Sequence, residues 1–218
     1  MSTGSEVWLF GSAARGDVDD VSDVDVLIAG PLTPKDLDRL PYRRSQLSVV
    51  RYSWDELAHM AAYGSLFLHH VRLEGRLVQP ATGDRLRNLL DSLPPYHRAE
   101  HELTSFRQVL DDVEESLTEE SSPAFELSVI ATAVRHSCIL GCYAIGRPTF
   151  GRRTAFGVFL EHLDLGYLIA DAERLYEFRL YEDGRAAAPF AATLGDVRIW
   201  LERARLVVKG VAEVLDGG

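Results

Sequence analysis

Two segments decide the fold of this 218-residue chain: VWLFGSAARG over residues 7–16 and SDVDVLIA over residues 22–29. The first begins with an apolar run, Val7 to Phe10, which is typical of a buried strand that leaves into a tight turn at Gly11. The second contains another apolar run, from Val24 to Ala29, which predicts a second strand. The chain therefore opens with two buried strands joined through a glycine turn.

Both segments carry groups that suit a phosphate and a metal ion. Gly11 lets the backbone approach a phosphate closely, and the Ser12 hydroxyl with nearby N–H groups can hold anionic oxygens. Asp23 and Asp25 lie at the start of the second strand and project from one face, because side chains along a strand alternate. Paired carboxylates on one face bind a hard divalent ion, especially beside the phosphates of a nucleotide. The pattern predicts a site for metal-assisted, in-line attack on a phosphorus atom.

The order Gly-Ser, Arg-Gly, Ser-Asp-x-Asp and apolar strand resembles the nucleotidyltransferase superfamily of DNA polymerase β and kanamycin nucleotidyltransferase, especially its minimal branch. A weaker resemblance continues through residues 66–75, which look like the helix that closes such domains. The resemblance implies metal-dependent nucleotide transfer, with an NTP, most simply ATP, and Mg²⁺ or Mn²⁺ bound at the site. The residues it implies are Asp23 and Asp25 for catalysis and metal binding, and Gly11, Ser12, Arg15 and Ser22 for nucleotide binding.

Two positions leave alternatives open. Arg15 pairs either with a phosphate or with a local carboxylate such as Asp17. The family's usual third carboxylate falls on the next strand, where this chain has Ser48 within Leu47-Ser48-Val49-Val50. A serine does not replace the charge of a carboxylate at a metal, nor does it readily act as a general base. Acids of the helical part could supply that base, and the candidates are Glu100, Glu102 and Glu126.

Two hypotheses follow. In the first, the protein is an enzyme that moves a nucleoside monophosphate, AMP from ATP in the simplest case, to a hydroxyl of a small molecule or a protein. In the second, it is a non-catalytic nucleotide-binding or regulatory module, or an antitoxin-like partner protein, that keeps the fold without turnover. Ser48 favours the second hypothesis, and the intact pair Asp23 and Asp25 favours the first.

The segments that follow complete the first part of the chain. They predict a helix over Pro31–Leu40 and a third strand over Leu47–Tyr52. Ser53 then begins a helix with a capping box that Glu56 completes. An edge strand is predicted at Leu77-Val78.

The pattern changes to helical periodicity alone from Gly83 onward. One helix, running to Gly146, is apolar almost all round over Leu127–Ile139 and is expected at the centre of a bundle. The fold class is therefore predicted as α/β, with a small mixed-sheet nucleotidyltransferase core over residues 1–82 and an all-helical bundle domain over residues 83–218. Pro94-Pro95 is the best linker signal, and the boundary is left open anywhere from Pro80 to Pro95.

Bulk properties limit the partners. The net charge of −10 argues against broad nucleic-acid binding, which needs a basic face, and mildly favours a cationic small molecule or a basic protein region. No apolar run approaches the ~18 residues of a membrane span, and the N-terminus lacks a signal sequence. With only two cysteines, a reducing cytoplasm is the expected location. The helical part is expected to shape the acceptor pocket. The sequence is also compatible with a homodimer formed through this part.

Overall fold

The computed structural model describes residues 4–16, 23–31, 42–43, 46–79 and 84–217. The chain divides into two compact units, Met1–Arg98 and Ala99–Gly218. The predicted helix over Pro31–Leu40 and the predicted nucleotide ligand Ser22 lie outside the described residues.

The first unit contains a four-stranded mixed sheet. Strand β1 pairs antiparallel with both β2 and β4, and β2 pairs parallel with β3, which gives the order β3-β2-β1-β4. The predicted third strand and edge strand are confirmed, since β4 lies at one edge of the sheet. The strands are β1 (Glu6–Phe10), β2 (Val24–Ala29), β3 (Leu47–Tyr52) and β4 (Arg76–Gln79).

Alternation along the strands gives the sheet two apolar faces. Val24, Val26 and Ile28 pack on one face. Leu27 and Ala29 pack on the other, where helices cover the sheet. Both faces are buried, so β2 reads as a nearly continuous apolar run.

Among the residues the structure describes, four helices belong to the first unit. The capping box predicted at the start of the second helix is present, because the Glu56 N–H donates to the Ser53 hydroxyl and the Ser53 N–H donates to the Glu56 carboxylate. The helices are α1 (Gly11–Arg15), α2 (Trp54–Ala62), α3 (Leu66–Glu74) and α4 (Arg85–Asp91).

Helix α4 explains why the first unit extends beyond the boundary predicted after residue 82. Leu86 and Leu90 are buried in the same core as the sheet. The Glu6 carboxylate, 1% exposed, accepts the backbone N–H of Arg85 at 2.9 Å and the Trp8 indole N–H at 3.0 Å. A buried acid on β1 thus caps α4 from across the chain, and α4 packs with the sheet instead of with the bundle.

The second unit is entirely helical within the described residues 99–217, as the fold class predicted. The central helix α6 is buried on most of its surface and packs against α5, α7, α8 and α9. A 3₁₀ turn over Gly166–Leu168 precedes α8. The helices are α5 (Ala99–Ser116), α6 (Pro123–Ala144), α7 (Arg152–His162), α8 (Ile169–Glu182) and α9 (Leu194–Gly217).

One described helix, α6, is long and apolar enough to cross a membrane by length and composition. This differs from the reading that no apolar run approaches that length, because α6 reaches it only by including polar residues such as Arg135 and His136. Most of that apolar stretch is buried inside the protein. Its apolar surface is therefore used as the core of the bundle.

Candidate functional site

The turn after β1 places a glycine directly against an aspartate. Gly11 adopts a left-handed conformation with φ of 65°, and a Cβ built there would overlap the Asp25 carboxylate. Glycine is thus required at this position both by the backbone angle and by the space available. The turn and the acid therefore lie together at one end of the two central strands.

The two aspartates of the predicted site lie at the start of β2. Asp25 is half-buried and pairs with Phe10 across the β1–β2 ladder, while Asp23 immediately precedes the strand. Alternation places Asp23 and Asp25 on the same side of the strand. The structure therefore brings Gly11 into direct proximity to Asp25.

The position of the usual third acid lies at the same end of the sheet. Ser48 of β3 is the register partner of Asp25, and paired residues on neighbouring strands point to the same face. The hydroxyl of Ser48 thus stands on the strand and face that the resemblance assigns to the third carboxylate. Among the residues the structure describes, no group of three or more histidine, cysteine or acidic side chains is arranged to hold a metal ion.

Two acids suit one particular kind of metal binding. Mg²⁺ is commonly held by one or two carboxylates together with substrate phosphates, and it keeps several waters. Asp23 and Asp25 therefore fit an ion that arrives with a triphosphate. The space that glycine leaves beside Asp25 is the structural feature that agrees with this fit.

Helix α1 follows the turn and is closed by a second glycine. The Gly16 N–H donates to the Ser12 carbonyl at 2.8 Å, with Gly16 in a left-handed conformation at φ of 84°. Ser12 is half-buried in the first turn of this helix. The backbone of residues 11–16 thus forms one short helix that begins at Gly11 and is capped by Gly16.

Arg15 has a partner that the sequence did not indicate. Its Nη1 lies 2.5 Å from Oε2 of Glu74, whose side chain is only 7% exposed. The same oxygen lies 2.8 Å from Nε2 of His70. A distant carboxylate at the end of α3, in the stretch that resembles the closing helix, therefore pairs with Arg15.

Other ionisable groups belong to the interior of their units. Burial lowers the pKa of His69, and Arg72 lowers it further, while the ring contacts the Pro94 carbonyl at 3.2 Å. Burial raises the pKa of the Cys138 thiol well above its usual value and that of Cys142 to about 12. Both thiols are therefore neutral at physiological pH, as expected of core residues.

Comparison with known proteins agrees with this fold. Residues 1–65 match the nucleotidyltransferase domain family. No curated protein matches the chain. Among solved structures, the chain is similar to spectinomycin adenyltransferase AAD(9) from Enterococcus faecialis, determined with ATP and spectinomycin, with a TM-score of 0.55 and 12% sequence identity. That similarity covers 94% of this chain and 91% of the other, and at such low identity it establishes a shared fold.

The four-stranded mixed sheet with its helices therefore has the fold of a nucleotidyltransferase core, and the match to the nucleotidyltransferase domain family covers residues 1–65.

Proposed function

We propose that the protein transfers the nucleoside monophosphate of an NTP, most simply AMP from ATP, to a hydroxyl group of a small molecule. The observation that carries the proposal is the contact surface formed by Gly11 and Asp25, with Asp23 on the same side of the strand. A turn that only glycine can form and two acids suit a metal–triphosphate complex. Ser12 and Ser22 are proposed as further nucleotide contacts.

The proposed reaction is an in-line displacement at phosphorus. The acceptor oxygen forms a bond to the α-phosphorus of ATP, the bond from that phosphorus to the bridging oxygen breaks, and pyrophosphate leaves. The acceptor proton passes to a base or to water. A Mg²⁺ or Mn²⁺ ion held by Asp23 and Asp25 would stabilise negative charge on the phosphate oxygens. The chain's own contribution is to bind and orient the triphosphate at the end of the central strands β1 and β2.

The structural neighbour and the charge of the chain support one class of acceptor. The neighbour AAD(9) was determined with ATP and spectinomycin, a small molecule. The present chain carries a net charge of −10, which favours a cationic acceptor over an anionic one. We therefore propose a hydroxyl-bearing, cationic small molecule as the first class to test, with a protein hydroxyl as the second.

The test is transfer of label from [α-³²P]ATP in the presence of Mg²⁺. The acceptor panel holds spectinomycin and other cationic aminocyclitols, aminoglycosides and hydroxyl-bearing proteins. Asp25→Asn serves as the blank because it removes the carboxylate charge with almost no change in volume. Metal-dependent labelling of an acceptor by the wild type, absent from the blank, is the expected result. Equal labelling by both proteins would remove Asp25 from the site.

A second function is favoured by one observation. Ser48, and not an acid, stands beside Asp25 in the register of the sheet. Since the third acid would help to activate the acceptor, its replacement favours a module that binds nucleotide without transferring it. Tight, Mg²⁺-dependent ATP binding together with no pyrophosphate release over the whole panel would support this second function.

A further inference from the structure

Helix α1 is too short to hold its own shape. It contains five residues, and no side chain caps its N-terminus at Phe10. Helices of this length are not stable in isolation, because nucleation fixes several dihedral angles for each hydrogen bond gained. The conformation of the Gly11–Ser12 turn must therefore be set by contacts with other elements.

Helix α3 makes such contacts at both ends of α1. At the start, the Phe10 ring meets the rings of Phe67 and His70 edge-on, with centroids 5.4 and 5.3 Å apart. At the end, Arg15 pairs with Glu74. Phe10 and Arg15, at the two ends of α1, thus both contact side chains of α3.

Glu74 is the central group of this arrangement. Its Oε2 faces both the Arg15 guanidinium and the His70 imidazole, and its side chain is nearly inaccessible to water. A buried carboxylate is stable only when donors satisfy it, so the three groups hold one another in a fixed geometry. His70 lies one turn before Glu74 on the same helix, so both side chains belong to α3. Arg15 belongs to the short helix α1 and is therefore the group that the Glu74 carboxylate positions.

We propose that Glu74 is a positioning residue for the nucleotide: it holds Arg15, and through Arg15 it fixes residues 11–16 in the conformation that receives the triphosphate. This inference rests on the proposed function, in which the turn receives the triphosphate of ATP. It assigns Arg15 to the support of the turn and not to a phosphate. The alternative is that Arg15 contacts phosphate directly, in which case Glu74 competes with the nucleotide for it. The two arrangements predict opposite effects of removing the Glu74 charge.

The test compares wild type with Glu74→Gln, which keeps the shape of the side chain and removes its charge. Glu213→Gln is the matched control, because it makes the same change in an exposed ion pair with Lys209 on α9. Two quantities are measured: hydrogen exchange of the amides of residues 11–16 without ligand, and the Kd for ATP with Mg²⁺. We expect faster exchange in Glu74→Gln and a Kd about tenfold higher, the scale of one lost charge-assisted hydrogen bond. The control should match wild type in both.

Several outcomes decide the matter. Unchanged exchange in Glu74→Gln, or an ATP affinity that is equal or tighter, overturns the inference; the tighter value would mean that Arg15 contacts phosphate. If wild type itself does not bind ATP, the proposed function fails, and the exchange data alone decide whether Glu74 holds the turn. Arg15→Met provides a second variant should Glu74→Gln fold poorly, since the Arg15 side chain is 27% exposed. A double variant combines Glu74→Gln with Arg15→Met. If Arg15 acts only through Glu74, this double variant should lose no more affinity for ATP than either single variant.

Discussion

Replacing Gly11 by alanine tests the central feature of the site. Gly11 has φ of 65°, and a left-handed conformation costs a non-glycine residue roughly 1–2 kcal/mol. The new methyl group would also overlap the Asp25 carboxylate, so the turn or the acid must move. We expect Gly11→Ala to lower the free energy of unfolding by about 2–4 kcal/mol, the sum of backbone strain and displaced packing.

Gly16→Ala is the control that separates strain from displacement. Gly16 is also left-handed, at φ of 84°, but a Cβ there meets no described atom within 4 Å. This control should lose only the roughly 1–2 kcal/mol of backbone strain. Urea denaturation gives the two stabilities, and calorimetry gives the ATP affinity in Mg²⁺.

The expected difference lies in ligand binding. ATP with Mg²⁺ should stabilise Gly16→Ala against heat about as much as wild type, since the acids are undisturbed. It should not stabilise Gly11→Ala, because Asp25 is displaced. If both variants bind ATP with the same affinity, the contact between Gly11 and Asp25 has no part in nucleotide binding and the reasoning is refuted.

Three further changes test other parts of the structure. Ser48→Asp should raise the rate of pyrophosphate release, by up to the roughly 10²–10⁴-fold that a general base provides, and a slower variant would mean that the base comes from elsewhere. Glu6→Ala should destabilise the first unit by about 3 kcal/mol in urea, because the Trp8 indole and the start of α4 lose their buried acceptor; a loss below 1 kcal/mol would contradict that role. Because burial depresses the pKa of His69 from 6.5, the unfolded chain takes up the proton first as pH falls, so stability should decrease below about pH 6.5. His69→Gln should weaken that dependence in denaturation curves at pH 7.5 and 5.5, and an unchanged slope would exclude His69 as its source.

The elements that sequence alone predicted well are those with local signals. The strand over Leu47–Tyr52 has the bounds that its apolar run indicated. The box formed by Ser53 and Glu56 depends on residues three apart, and it forms as predicted. The bundle centre in α6 follows from a segment that is apolar all round.

The contacts that sequence did not indicate join residues far apart in the chain. Glu6 caps a helix 79 residues later, and Arg15 pairs with an acid 59 residues later. No local pattern marks either partner, because charged residues are common on surfaces and only burial makes these two informative. The boundary predicted after residue 82 differs from the division of the structure for the same reason. Helix α4 has the pattern of any amphipathic helix, and only its contacts with Glu6 and the sheet core place it in the first unit.

The register of the sheet separates two properties that a nucleotidyltransferase usually combines. In the proposed site, the turn at Gly11 and the acids at the start of β2 bind the metal–triphosphate complex, whereas activation of the acceptor calls for a further acid on β3. In this chain the proposed binding residues Gly11, Asp23 and Asp25 are present, and the position on β3 holds Ser48, directly beside Asp25. Binding and transfer should therefore respond to different substitutions: changes at Gly11 or Asp25 remove both, while Ser48→Asp alters the rate of transfer and leaves nucleotide affinity nearly the same. A chain in which transfer is fast despite Ser48 must pass the acceptor proton to another group or to water.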